Sequence, residues 1–148
     1  MLTTDLIEHI LSTVPQRTVG VLGDLFLDRY LDIDPALNEP SIETGLTAYQ
    51  VTRVRAYPGA SGTVVNNLAA LGVGRIYPIG YIGDDGEGYE LRQALKLLPA
   101  VEQGGIFAAN GRRTPTYTKP MLGNEELNRL DIKNRTPTPP HVEEHVIE

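Results

Sequence analysis

The chain has 148 residues, 41% hydrophobic and 22% charged, which suits one ordinary globular domain and excludes intrinsic disorder. A net charge of −6 argues against a broad nucleic-acid surface while leaving room for a local cationic pocket. With no cysteine, disulfides, thiolate nucleophiles and cysteine-ligated metal centres are excluded.

Leu2, Leu6, Ile7, Ile10, Leu11 and Val14 fall on one helical face, with Asp5 and Glu8 as a capping pair and Pro15 as the stop. The almost wholly apolar run TVGVLG, residues 18–23, reads as a strand buried on both faces of a parallel sheet. Asp24 begins a polar exit, and residues 35–45 read as loop. Between 46 and 57, Arg53 and Arg55 alternate with apolar and aromatic residues, the pattern of a strand with one wet face.

PGASG, 58–62, is a small-residue turn opening a helix with Val64, Val65, Leu68, Ala69 and Leu71, ended by Gly72 and Gly74. Residues 75–82 form the next strand, expected at an edge or bulge because Pro78 removes a ladder donor. GDDG, 83–86, leads into a helix bearing Leu91, Ala94, Leu95 and Leu98, with Asp84 and Glu87 as a variant capping box. A short strand follows near Ile106, then two strands, 113–122 and 126–132, joined across Gly123-Asn124. Thr138 is expected to cap a last helix with Pro139 at its first position. The alternation is that of an α/β layered domain with a parallel core, the 46–57 and 113–132 segments forming a separate β layer. The last helix runs only about two turns, so the chain is expected to be the front part of a larger protein.

No window approaches ~18 apolar residues, and the first ten residues carry acids where an export signal needs bases; a cytoplasmic, non-membrane protein is expected. His141 and His145 are spaced i, i+4 with no third ligand nearby, so no metal site is expected.

Four segments carry polar chemistry. Asp24 and Asp28 follow the first strand, where open α/β sheets bind ligands; they either accept hydrogen bonds from hydroxyls or serve the loop by pairing with Arg29. Residues 58–63 either admit a ligand to a helix N-terminus, with Asn66 and Asn67 adding amides, or form a tight turn capped by Ser61. GDDG reads as structural. Lys119 and Arg129 either make a cationic patch for a phosphate-bearing substrate or belong to an exposed hairpin of ordinary cross-strand pairs.

In combination, VGVLGDLFLDRY, PGASGTVVNNLAALGVGRIYPIGYIGDDGEGYELRQAL, and TPTYTKP with LNRLDI resemble the first half of ribokinase-like carbohydrate kinases of the PfkB type. Within that family the chain is similar to the heptose-phosphate kinase-like members, over about residues 18–132. The resemblance implies a partial ribokinase-like fold, a parallel sheet with flanking helices, and a small β lid from about 29–57 and 113–132. It implies that Asp28 holds sugar hydroxyls and that the Gly59 backbone sits against the sugar. Ala60 stands where a second glycine is common, and Thr63 where the family usually has Asn. Asn67 matches an Asn of the heptose-kinase-like group; Lys119 and Arg129 match basic residues of the Thr-Lys and Arg-x-Asp strands.

The family keeps its ATP site and catalytic base in a Gly-Ala-Gly-Asp motif of the second half, and no such motif occurs in these 148 residues. The implied protein is therefore the sugar-binding, N-terminal portion (1–148) of an ATP- and Mg²⁺-dependent transferase acting on a sugar or sugar phosphate. No catalytic residue is expected in this chain, and the lid is expected to mediate homodimers. The alternative is a truncated, non-catalytic module that binds a sugar phosphate or dimerises.

Overall fold

The computed structural model describes residues 3–147; Leu2 and Glu148, expected in the first and last helices, lie outside the described residues. In helix α1 (Thr4–Thr13) the cap is the Thr3 hydroxyl, which accepts from the Leu6 N–H at 3.3 Å, rather than the Asp5–Glu8 pair. Leu6, Ile7, Ile10 and Leu11 stay exposed, so the apolar stripe of α1 has no cover among the described residues.

The chain then runs through β1 (Thr18–Leu22), β2 (Leu25–Ile33), the short pair β3 (Glu39–Pro40) and β4 (Thr47–Ala48), and β5 (Val51–Ala60). There follow α2 (Ser61–Ala70), β6 (Arg75–Ile82), α3 (Gly86–Lys96), β7 (Ile106–Ala108), β8 (Thr116–Leu122), β9 (Glu125–Glu126), β10 (Leu130–Ile132) and α4 (Pro140–Ile147).

Two sheets organise these elements. β1, β6 and β7 form a parallel sheet with β6 in the middle. The second sheet runs β10–β8–β2–β5, with β9 on the end of β8; β2 and β8 are parallel and the other pairs antiparallel. The turn between β8 and β9 is the expected Gly123-Asn124 pair, with Gly123 at φ 61°, the sign needed at the first position of a type II′ hairpin.

Leu25 and Leu27 of β2 pack with Ile76 and Ile82 of β6, Ile106 of β7, Val65 of α2, and Leu91 and Leu95 of α3, in one core. That core joins the root of the second sheet to the parallel sheet and its two helices. Arg29, on the same side of β2, reaches the carboxylate of Glu90 on α3.

Several expectations are corrected. The polar exit after Asp24 is the nine-residue strand β2, which carries polar side chains because one of its faces lies off the core. β1 is covered on one side only: Val19 and Val21 pack on the core, while Gly20 and Leu22 are exposed. Pro78 sits in the central strand, neither edge nor bulge. Its strand neighbour Ile76 exchanges bonds with Ala100 and Glu102, so the Pro78 nitrogen, two residues on, faces that same side. There the neighbouring chain leaves the ladder as the 3₁₀ turn Gln103–Gly105, and no donor is required.

Asp85, not Asp84, caps α3, accepting from the Gly88 N–H at 2.8 Å. α4 starts one residue late: the Pro139 carbonyl accepts its first bonds, and the Thr138 hydroxyl instead meets that of Tyr81 at 3.1 Å. No helix among the described residues is long and apolar enough to cross a membrane.

Candidate functional site

Lateral neighbours in a sheet point to the same face, and the register of the second sheet collects the chemistry on one of them. Asp28 of β2 stands between Tyr57 of β5 and Tyr117 of β8; Tyr30 stands between Arg55 and Lys119; Phe26 is opposite Gly59. This is the face turned away from Leu25 and Leu27.

Lys119 donates to Asp28 Oδ1 at 2.8 Å and to the Tyr30 hydroxyl at 3.1 Å. The pair is mostly sheltered, with side-chain exposures of 15% for Lys119 and 22% for Asp28. Burial by itself would lower the Lys119 pKa; the bonds to Asp28 and Tyr30 outweigh it and hold the ammonium above the ordinary lysine range. Gly59 is buried directly beneath the Asp28 carboxylate: a Cβ there would lie 2.5 Å from Oδ2. Only glycine lets the aspartate lie over the strand backbone, with Oδ2 left to accept bonds from a hydroxylated ligand.

Flanking pairs repeat the arrangement. Arg55 grips Asp32 through two bonds of 2.7 and 3.0 Å. Arg129 grips Asp131 and stacks over the Tyr117 ring at 4.5 Å. Lys133 also pairs with Asp131, at 2.9 Å. The Phe26–Tyr117 and Tyr30–Tyr57 edge-to-face contacts fill the space between these charges. Between this face and the C-terminal ends of β1 and β6 lies an open cleft of about 300 Å³, lined by Asp24, Phe26, Tyr81, Arg112, Lys133 and Thr136 among others.

Of the residues singled out from sequence, Asp28, Gly59 and Lys119 come into direct contact, and Arg129 joins them across Tyr117. Ala60 ends β5 with φ 53° and ψ −118°. Thr63 and Asn67 lie exposed, one turn apart on α2, and the structure gives neither a contact with the cluster. Ser61 does not cap α2; its hydroxyl and N–H both donate to the Asp24 carbonyl, at 2.5 and 3.0 Å, tying the helix start to the end of β1. Sequence reasoning missed Tyr30, Tyr57, Tyr117 and Arg55. The signal was the alternation Phe26-x-Asp28-x-Tyr30-x-Asp32, hidden by reading that stretch as an exit loop.

The GDDG segment is structural, as expected, though through Asp85. Thr114 donates to it from both its N–H, at 2.9 Å, and its hydroxyl, at 2.7 Å, and Arg113 approaches at 3.2 Å. Burial alone would raise the Asp85 pKa, but these bonds and that charge hold it below the usual carboxylate range. This knot fixes the start of β8 to the head of α3. Among the described residues no three His, Asp or Glu side chains converge as a metal centre would require.

The fold is that of the carbohydrate kinases. A carbohydrate kinase from Agrobacterium tumefaciens superposes on 78% of this chain and 35% of its own, with a TM-score of 0.57 and 24% identity. The Arabidopsis thaliana ribokinase complexed with ribose and ATP covers 76% of this chain and 35% of its own, with a TM-score of 0.52 and 18% identity. By sequence, the bifunctional protein HldE of Gluconobacter oxydans (strain 621H) is 30% identical over 130 residues, 88% of this chain and 26% of that protein. The chain thus has the fold of carbohydrate kinases and is similar in sequence to part of the bifunctional protein HldE. It spans about a quarter of the length of the curated relatives it matches. No family model matches it.

Proposed function

We infer that this chain is the sugar-binding portion of an ATP-dependent carbohydrate kinase. The observation that carries this reading is the Asp28–Lys119–Gly59 cluster, on a sheet face overlooking the C-terminal ends of parallel strands, where α/β proteins take their ligands. Asp28 Oδ2 accepts hydrogen bonds from sugar hydroxyls, and Lys119 fixes the carboxylate in place. Gly59 gives the Asp28 carboxylate room to lie over the strand and face the sugar. Ala60, Thr63 and Asn67 belong to the rim, at the head of α2.

The substrate is a sugar or a sugar phosphate: on this face Arg53, Arg55, Lys119, Arg129 and Lys133 stand against Asp28, Asp32, Glu126 and Asp131, a near balance of charge. In the complete enzyme, the γ-phosphoryl group of ATP passes to a sugar hydroxyl. ATP and Mg²⁺ are assigned to sequence outside these residues, and this chain's part is to bind and orient the acceptor. The second sheet acts as a lid, running from Leu25 rather than 29 and reaching Ala60 rather than 57. Its underside carries exposed Val54 and Leu130, which suit a contact with a second copy.

The test is Asp28→Asn in the complete kinase. Loss of a charged hydrogen bond, about 1.5–3 kcal/mol, lowers kcat/KM for the sugar by roughly one to two powers of ten, with KM for ATP unchanged. Unchanged sugar kinetics in a folded variant overturn the assignment. The 148-residue chain alone should show no sugar-dependent ATP turnover.

A further inference from the structure

Asn110-Gly111 is the one Asn-Gly pair in the chain. It forms the middle of a turn closed by a 3.2 Å bond from the Arg112 N–H to the Ala109 carbonyl. Gly111 has φ 74°, the positive value that the third position of a type II turn takes. Both ends of the turn are tied down. Ala109 is buried, and its N–H donates to the Ile82 carbonyl at 2.8 Å. The Arg112 guanidinium holds Thr136 and Pro137, just ahead of α4. The middle is free: Asn110 and Gly111 are exposed, and among the described residues neither the Asn110 amide nor the Gly111 N–H has a hydrogen-bond partner. Nothing lies within 4 Å of the place a Gly111 Cβ would occupy. Asn110 also borders a hollow of about 280 Å³ that it shares with His141, Val142 and His145 of α4.

A free backbone N–H beside a free side-chain amide is a nucleophile next to its electrophile. We propose that Asn110 is a self-modification site, passing through a cyclic imide to aspartate and isoaspartate, and that the isoaspartate form loosens α4. The Gly111 nitrogen attacks Asn110 Cγ. The N–Cγ bond forms, the Cγ–Nδ2 bond breaks, and the Gly111 N–H proton leaves with the departing ammonia. Solvent water then opens either imide carbonyl, so one water enters, one ammonia leaves and nothing is oxidised. The attack needs the peptide plane between Asn110 and Gly111 to rotate. One turn bond resists that rotation, and glycine has no Cβ to obstruct it. Opening at the main-chain carbonyl routes the backbone through Cβ and inserts a methylene between two anchored ends. Ala109 is the more deeply held end, so the displacement falls on Arg112 and on its grip ahead of α4.

The 148-residue protein and a synthetic peptide of residues 97–112 are aged side by side in neutral buffer. The tryptic peptide 97–112, in which Asn110 is the only asparagine, is followed by mass and by labelling with protein-isoaspartate methyltransferase. Folded wild type is expected to convert at a rate within about tenfold of the free peptide, while Asn134, whose side chain is bonded to Arg113 through both its oxygen and its nitrogen, stays intact. A folded rate more than about tenfold below the peptide overturns the site. Gly111→Ala should slow conversion at least about tenfold, and an undiminished rate overturns the proposal. Because alanine is strained at this φ, Asn110→Gln decides if Gly111→Ala disturbs the turn: it should give no isoaspartate label in this peptide. Hydrogen exchange reads the consequence. The amides of residues 142–147 should exchange at least about threefold faster in aged wild type than in aged Asn110→Gln. Asn110→Asp carries the charge without the extra backbone atom and should exchange as Asn110→Gln does. Equal protection in isoaspartate-bearing wild type, or fast exchange in Asn110→Asp, overturns the loosening by a lengthened backbone.

Discussion

Ala60 closes β5 with φ 53° and ψ −118°, backbone values of the first central position in a type II′ turn, where glycine prevails. An alanine Cβ held there is strained by about 1–3 kcal/mol. Changing it to glycine removes the strain but returns about 0.4–1 kcal/mol of freedom to the unfolded chain. The side chain is exposed, so little packing is lost. The net expectation for Ala60→Gly is a stabilisation of about 0.5–2 kcal/mol, or roughly 1–8 °C in melting midpoint for a chain of this size. Urea denaturation followed by circular dichroism measures it, with an unchanged m value showing that the effect lies in stability alone. A lower midpoint in Ala60→Gly would refute the reasoning, because it would mean that the β5–α2 junction does not hold residue 60 at positive φ.

The neighbouring substitution should go the other way: Gly59→Ala drives a methyl into the Asp28 carboxylate and breaks its bond to Lys119, costing about 1.5–3 kcal/mol, and an unchanged urea midpoint would count against that packing. Asp85 makes the acid limb of stability steep. Its folded pKa is lowered, so its contribution is complete above the ordinary carboxylate value of about 3.9 and is lost as pH falls through the lower folded value. The difference in unfolding midpoint between wild type and Asp85→Asn should therefore be constant near neutrality and shrink below about pH 4; a gap independent of pH down to pH 2 would exclude Asp85 as the cause. Val54→Asp on the lid underside should leave the fold intact and shift any dimer toward monomer in sedimentation equilibrium, and an unchanged distribution would remove this face from the contact.

Legibility in the sequence followed how local each cause was. The helices of the core announced themselves through Val65, Leu91 and Leu95, and the β8–β9 turn through Gly123-Asn124, because a single segment contains the whole signal. β2 did not, since Asp28, Arg29 and Asp32 make it polar on both sides: the site occupies one face and the Glu90 pairing tempers the other. Pro78 misled because its tolerance depends on a turn some 25 residues later in the chain. Asp28, the turn holding Gly59, and Lys119 with Arg129 stood out within their own segments, each beside a structural alternative that the family resemblance weighed against; their meeting depends on the parallel pairing of β2 with β8, which no local pattern reveals.

That parallel pairing also sets an order of events. Asp28 and Lys119 are 91 residues apart, and the whole of α2, β6, α3 and β7 lies between them. At ~5–20 residues per second a ribosome would need roughly 5–20 s to add Lys119 after Asp28. During that interval β1, α2 and β6 can begin to assemble, while β2 waits with one edge unpaired and its aspartate without a partner. Long-range parallel pairing is slow to form, because chain closure precedes its reward. This sheet face is thus completed after the β1–α2–β6 core, and in refolding the environment of Tyr30, Tyr57 and Tyr117 should mature after the content of α2 and α3 has recovered.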